Sequence, residues 1–272
     1  MPTTLLLINL TALAALLPAA LLPWRWRSAR PDLVFWALLA VALAGAVAAV
    51  SAQLGGGWSP GLGVALWLSV TVSLAAYLFA AVFLRLAWRL SALLLPYLLC
   101  LGLLGTIWLA AERGPAPAPL PGDLAAEGWL LVHIAISLTT YALATLAAVA
   151  AAAAVLQQRA LKRKRPDALS RLLPSVADAE RLQVNFLAAA ETVLGLGILT
   201  GAALAWVQTG RLPLDHKTTL SLLAFAVIAV LLYLQNRTGL RGQRAGRLVL
   251  VAYLLLTLAY PGVKFVTDLL LG

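Results

Sequence analysis

WLLVHIAISLTTYALATLAAVAAAAAVL, Trp129–Leu156, runs 28 residues without a charge, and QQRALKRKR, residues 157–165, then brings five Lys or Arg. A helix needs about 20 apolar residues to cross the hydrocarbon core of a bilayer. This stretch is long enough, and its basic tail reads as an anchor at one membrane face. In lipid every backbone N–H and C=O must be paired within the segment, which selects a helix. A transmembrane barrel would instead show ten-residue strands of alternating polarity.

The rest of the chain repeats the pattern. Eight segments qualify as spans: Thr3–Leu22, Leu33–Leu54, Leu62–Leu84, Leu90–Ala111, Trp129–Leu156, Leu182–Val207, Lys217–Gln235 and Leu248–Leu270. Pro18 and Pro96 fall inside spans, where a missing N–H is expected to kink the helix. Composition agrees: of 272 residues 62% are hydrophobic and 11% charged, and mean hydropathy is +0.94. A soluble domain carries roughly 25% charge, so the chain is read as an all-α, polytopic membrane protein with the lipid bilayer as its first partner.

A net charge of +10 would suggest nucleic acid in a soluble protein. Here 16 of the 20 Lys and Arg lie in the connections after spans one, three, five and seven. Basic loops stay cytoplasmic. That expectation puts both termini outside, makes the protein multi-pass in a bacterial inner membrane, and assigns no nucleic-acid partner. The N-terminus has no Lys or Arg before its apolar run, so the first span is expected to be retained rather than cleaved as a signal. The linker ERGPAPAPLPGDLAAE, residues 112–127, divides the chain into an N-terminal four-helix half, 1–111, and a C-terminal four-helix half, 128–272.

Chemistry-bearing residues are few. The single cysteine, Cys100, sits in an apolar run, is expected to be buried there, and excludes an internal disulfide or a CxxCH haem-attachment site. The nine tryptophans cluster at predicted span ends, as an interfacial belt would: Trp24, Trp26, Trp36 and Trp88 inside, with Trp58, Trp67, Trp108, Trp129 and Trp206 outside. His133 lies four residues into span five, and His216 immediately precedes span seven. Each reads either as a hydrogen-bonded histidine at a membrane edge or, because both lie at matching depth on separate helices, as half of a bis-histidine haem site. His133, Ser137, Thr140 and Tyr141 share one helical face. Ser137 and Thr140 are expected to bond neighbouring helices. Span eight carries a second stripe, Tyr253, Thr257, Tyr260, Lys264 and Asp268. Lys264 and Asp268 read as a structural pair, or Lys264 as a cation for a haem propionate.

Glu191 stands about halfway through span six. An ionisable group at that depth is a functional candidate by default, or else a protonated carboxyl bonding another helix. Gly197 and Gly201 form a GxxxG on the same span, which permits close helix packing. There is no hydrolase elbow, P-loop, HExxH or carboxylate pair, and no nucleophile has a base beside it. The chain therefore does not read as an enzyme.

Four ordered patches carry a resemblance. The stretch from Trp129, WLLVHIAISLTTYALATLAAV, resembles a haem-facing span of the cytochrome c assembly family (CcsA-type). LGLGILTGAALAW, Leu194–Trp206, resembles the next family span. DHKTTLSLLAFAVIAVLLYLQNRTGLRGQRAG, Asp215–Gly246, resembles the family segment that opens on DPKETW and closes near GWRG, and AYPGVKFV, Ala259–Val266, resembles its closing YFGVNF. The tryptophan-rich WWD loop of full synthases is reduced to VQTGRLPLDHK, Val207–Lys217. His216 replaces the proline of DPK, and Leu220 stands where the family has Trp. This points to the shorter HemX-like (YpjD-like) branch. The resemblance implies haem handling or cytochrome c biogenesis and a haem role for His133, and more weakly for His216.

Taken together, these readings predict haem b near the outer face with His133 and His216 on the iron. Arg211, Lys217 or Lys264 would meet the propionates, and Trp129, Trp206 and Tyr141 would pack the porphyrin. Cytochrome c maturation or haem-synthesis proteins would be partners. Two other readings stay open: a proton-coupled small-solute transporter using Glu191, and a non-catalytic scaffold or regulator of haem synthesis whose basic loop, Arg159–Arg181, docks a partner.

Overall fold

A computed structural model describes residues 3–25, 31–55, 61–111, 124–164, 167–210, 216–239 and 242–262. They form helices α1 (Thr3–Arg25), α2 (Leu33–Leu54), α3 (Leu62–Phe83), α4 (Ser91–Ala111), α5 (Leu124–Arg163), α6 (Ala168–Leu172), α7 (Val176–Thr209), α8 (His216–Thr238) and α9 (Gln243–Thr257). A 3-10 turn, Ala87–Leu90, leads into α4, and a π-helical turn, Leu258–Gly262, closes α9. No strand occurs among the described residues.

Seven helices among the described residues are long and apolar enough to cross a membrane: α1, α2, α3, α4 with its leading turn, α5, α7 and α8. The protein is a multi-pass membrane protein. The eighth expected span, Leu248–Leu270, is described as α9 and its π turn to residue 262; its remainder lies outside the described residues. Helices α5 and α7 run to 40 and 34 residues, beyond the expected spans, because their charged ends continue the helix past hydrocarbon depth. Pro18 and Pro96 lie within unbroken helices.

The chain folds as two units. The first holds residues 1–120 and 165–174. In it, small residues set the helix spacing. Gly45 of α2 lies against Ala12 and Ala15 of α1; a Cβ there would stand 3.1 Å from the Ala15 methyl. At the same interface the Gln53 side-chain amide donates to Asn9 Oδ1 (2.8 Å), and Asn9 is fully buried. Helices α3 and α4 cross at Gly63 and Gly105, each of which would press a Cβ on the other's carbonyl oxygen, at 3.1 and 3.3 Å. Gly102 and Gly105 also seat the Trp67 indole. That ring is 1% exposed and donates to Thr106 Oγ1 at 3.3 Å. Trp67 is therefore a core residue rather than a member of the interfacial belt. Tyr77, fully buried, donates to the Trp88 carbonyl and ties α3 to the turn before α4 (2.8 Å). Cys100 is exposed on α4, where the sequence suggested burial.

The second unit holds residues 121–164 and 175–272. Helix α5 is its axis, lined with alanines most of which are buried, among them Ala142, Ala147, Ala150 and Ala151. Small side chains allow close helix approach where lipid supplies no hydrophobic drive. Helices α7 and α9 pack on α5, and α8 packs on α7 and α9. At the basic end Glu180 of α7 holds two other helices. Its Oε1 accepts the Gly242 backbone N–H that opens α9 (2.9 Å) and the Gln158 side-chain amide of α5 (3.1 Å). Gly242 offers α9 no side-chain cap of its own, so Glu180 satisfies an orphan donor from outside and places its carboxylate at the positive end of the helix dipole.

Candidate functional site

His133 projects from α5 toward α7, and the GxxxG of α7 receives it. A Cβ on Gly201 would stand 2.9 Å from His133 Cε1, and one on Gly197 would meet Ile136 of α5 at 3.3 Å. The two glycines thus make the close approach that the motif permits, and one of them is the seat of the imidazole.

Between them in space lies Thr200. Its hydroxyl donates to the Gly197 carbonyl of its own helix (3.1 Å), and His133 Nδ1 lies 3.1 Å from the same oxygen. A hydroxyl has one proton and two lone pairs. With that proton on Gly197, Thr200 Oγ1 accepts from an Nδ1–H; with Nδ1 bare, the hydroxyl donates to the ring instead. In the first arrangement the neutral ring carries its lone pair on Nε2, the nitrogen such a histidine presents to a metal. One turn earlier on α5, the Trp129 indole N–H donates to the Thr200 carbonyl (3.2 Å). Thr200 therefore holds the first turns of α5 through both its side chain and its backbone. Sequence reading missed Thr200. The available signal was its place between Gly197 and Gly201, on the face those glycines expose.

The remaining polar stripe of α5 does two separate things. Ser137 and Thr140 donate to the carbonyls of His133 and Ile136 four residues back (2.8 and 3.0 Å). Their protons go to their own helix, where the sequence reading gave them to a neighbour. Tyr141, only 4% exposed, reaches α9. Its ring stacks on Tyr253 at 5.6 Å between centroids, and Tyr253 Oη donates to Tyr141 Oη (3.1 Å). Thr145 Oγ1 lies 3.2 Å from Tyr253 Oη, and Thr257 Oγ1 3.5 Å from Tyr141 Oη. The stripes of spans five and eight thus meet, forming a buried hydroxyl network that clamps α9 to α5.

The other candidates are distributed as follows. Trp129 and Trp206 are 43% and 61% exposed, on α5 and α7. His216 and Lys217 open α8, and their side chains lie outside the described residues, as does that of Tyr260 in the π turn. Arg211, Lys264 and Asp268 also lie outside the described residues. Glu191 is in α7, and both its carboxyl oxygens are buried with no hydrogen-bond partner among the described residues.

Comparison with known proteins gives two matches. The family model described as Cytochrome C assembly protein matches residues 58–271, which extends the likeness from the C-terminal patches back through α3 and α4. A protein of Azospirillum brasilense, described as an uncharacterized 28.8 kDa protein in nifR3-like 5′ region, is 49% identical over 270 residues, 97% of each chain. No solved structure matches the chain.

Proposed function

The chain belongs to the cytochrome c assembly protein family, and from that premise we propose that it binds haem b at the end of α5 and α7 that carries His133. Its role is haem handling or cytochrome c biogenesis rather than turnover of a substrate. The observation that supports this most directly is the contact of His133 Nδ1 with Thr200 Oγ1 at 3.1 Å, beside the Gly201 seat of the ring. Metal-ligating histidines are oriented in this way by a second partner on the other ring nitrogen. Gly201, open enough for the ring, supplies the cradle. His133, Trp129 and Trp206, on α5 and α7, are residue types that an iron porphyrin would use.

In this reading His133 and His216, first residue of α8, would hold the haem iron. Trp129 and Trp206 pack the porphyrin edge. Tyr141 supports the site through α9, because its ring is stacked on Tyr253. Arg211, Lys217 and Lys264 are assigned to the propionates by charge. Bound haem would supply a redox-active iron held by two histidines. The chain's own contribution is to hold the imidazole and exclude water. The short Val207–Lys217 connection in place of a WWD loop supports handling of haem without its covalent attachment to apocytochrome. Protein purified from haem-supplied cells is expected to show a Soret band and a b-type pyridine haemochrome spectrum; colourless protein under those conditions would end the haem reading. Partners are then cytochrome c maturation or haem-synthesis proteins.

The same reading uses eight spans in a bacterial inner membrane, with both termini outside and α9 completing the eighth. It rests on the 16-to-4 partition of Lys and Arg. In a Cys100→Ala background, Ala116→Cys is expected to react with a membrane-impermeant maleimide added to intact spheroplasts, and Ser28→Cys only after lysis. The reverse pattern would invert the topology.

One observation favours a second reading. Glu191 places inside a span two carboxyl oxygens with no partner among the described residues, a costly arrangement that marks ion or proton pathways in other membrane proteins. A proton-coupled carrier would show solute-dependent proton flux in proteoliposomes that Glu191→Gln abolishes. Equal flux in the variant would remove Glu191 from any transport role.

A further inference from the structure

The second unit contains a cavity that the haem reading does not use. It lies at the basic end, among the start of α7, the end of α8 and the start of α9, and measures about 380 Å³. Its polar walls are Glu180, Arg181, Gln183 and Asn185 from α7 and Gln235 and Asn236 from α8. The His133 site is more than four helical turns away along α7, since Thr200 follows Asn185 by 15 residues at 1.5 Å each.

Three features specify what this cavity takes. First, it carries one group of each charge, Arg181 and Glu180, with amides between them, which suits a zwitterion better than a simple anion. Second, Gln235 Oε1 is buried with no hydrogen-bond partner among the described residues. An orphaned buried acceptor is costly, so an occupant that brings an N–H or O–H donor is favoured over one that only accepts. Third, depth: these residues share a level with Arg159, Arg237, Arg244 and Arg247, the charges that mark the edge of the hydrocarbon. A cavity there opens into the headgroup layer.

We propose that this cavity binds a primary-ammonium phosphate zwitterion, the headgroup chemistry of phosphatidylethanolamine. The ammonium donates to Gln235 Oε1 and is attracted by the Glu180 carboxylate, while the phosphate meets Arg181 and the amides of Asn185 and Asn236. A choline headgroup keeps both charges but has no N–H, so it leaves Gln235 unpaired. A phosphatidylglycerol headgroup brings hydroxyls but no cation for Glu180. Because Glu180 Oε1 also holds α5 and the start of α9, an occupied cavity braces three helices at one point.

The test is native mass spectrometry of the full-length protein, equilibrated in detergent with equimolar phosphatidylethanolamine, phosphatidylcholine and phosphatidylglycerol of matched chains. Phosphatidylethanolamine is expected to be retained roughly tenfold over either competitor, the ratio that one charge-assisted hydrogen bond gives. Gln235→Leu and the exposed-site variant Arg181→Ala should each reduce that preference to near unity, and Gln235→Glu, which keeps an acceptor, should preserve it. Displacement by soluble phosphoethanolamine would assign the site to the free compound, and its failure to the lipid; either supports the ammonium phosphate assignment. Equal retention of the three lipids, or an undiminished preference in Gln235→Leu, would overturn it. None of these readouts involves haem, so failure here leaves the His133 reading untouched, and the converse holds.

Discussion

The His133→Ala, His216→Ala double variant, purified from haem-supplied cells, is expected to lose its Soret band, because it removes both nitrogens assigned to the iron. Single variants separate the two roles. His133→Ala deletes the ligand whose ring is held by Thr200 and seated on Gly201, and should abolish the low-spin spectrum; added imidazole should restore part of it, since the variant leaves space where the ring was. Thr200→Val keeps the shape but removes the hydroxyl that meets Nδ1. Partners of this kind typically change metal affinity by about 10–100-fold, so haem is retained weakly and its midpoint potential shifts. Gly201→Val keeps His133 but drives a side chain into the ring, which already stands 2.9 Å from where a Cβ would be. Spectral loss in Gly201→Val with a folded protein would show that the position of the imidazole matters as well as its presence. A band that survives intact in the double variant would sink bis-histidine ligation.

Gly105→Val is expected to destabilise the first unit strongly. A Cβ at residue 105 lies 3.2 Å from the Leu66 Cβ, 3.2 Å from the Trp67 ring and 3.3 Å from the Gly63 carbonyl. Two of these neighbours cannot yield, one being backbone and the other a Cβ fixed to it, and the Trp67 indole is closed in at 1% exposure. Gly63 is constrained in turn by Leu109 and the Gly105 carbonyl, so α3 and α4 must separate. Overpacking of this kind costs about 1–3 kcal/mol even where side chains can adjust. At roughly 2–4 °C per kcal/mol for a protein of this size, the melting temperature in detergent should fall by about 5–10 °C. Gly128→Val is the control, because a Cβ there meets nothing within 4 Å. Similar melting for the two variants would refute the close crossing of α3 and α4.

Hydropathy alone was enough to read the helices, since lipid forces an uncharged run of this length into one secondary structure. Depth and facing were harder to read. Trp67 and Trp129 look alike as tryptophans near predicted span ends, yet Trp67 is sealed between Gly102 and Gly105 while Trp129 is half-exposed; the difference lies in which helix comes alongside. Ser137 and Thr140 were given to a neighbouring helix because they share a face with His133, but a hydroxyl can reach its own carbonyl one turn back at 2.8–3.0 Å. The GxxxG was visible, but its partner was not. That it opens toward His133 follows only from the pairing of α5 with α7. The meeting of the two tyrosine stripes was similarly half-visible: each face could be drawn, but not their contact.

The way α9 is held also bears on synthesis. Ribosomes deliver the chain from its first residue, so Glu180 enters the membrane well before Gly242, the donor it is to receive. Until the last segment emerges, that carboxylate has the Gln158 amide of α5 as its earlier-made tether. The final helix then docks onto an acceptor already in position, and its own first turn needs no cap.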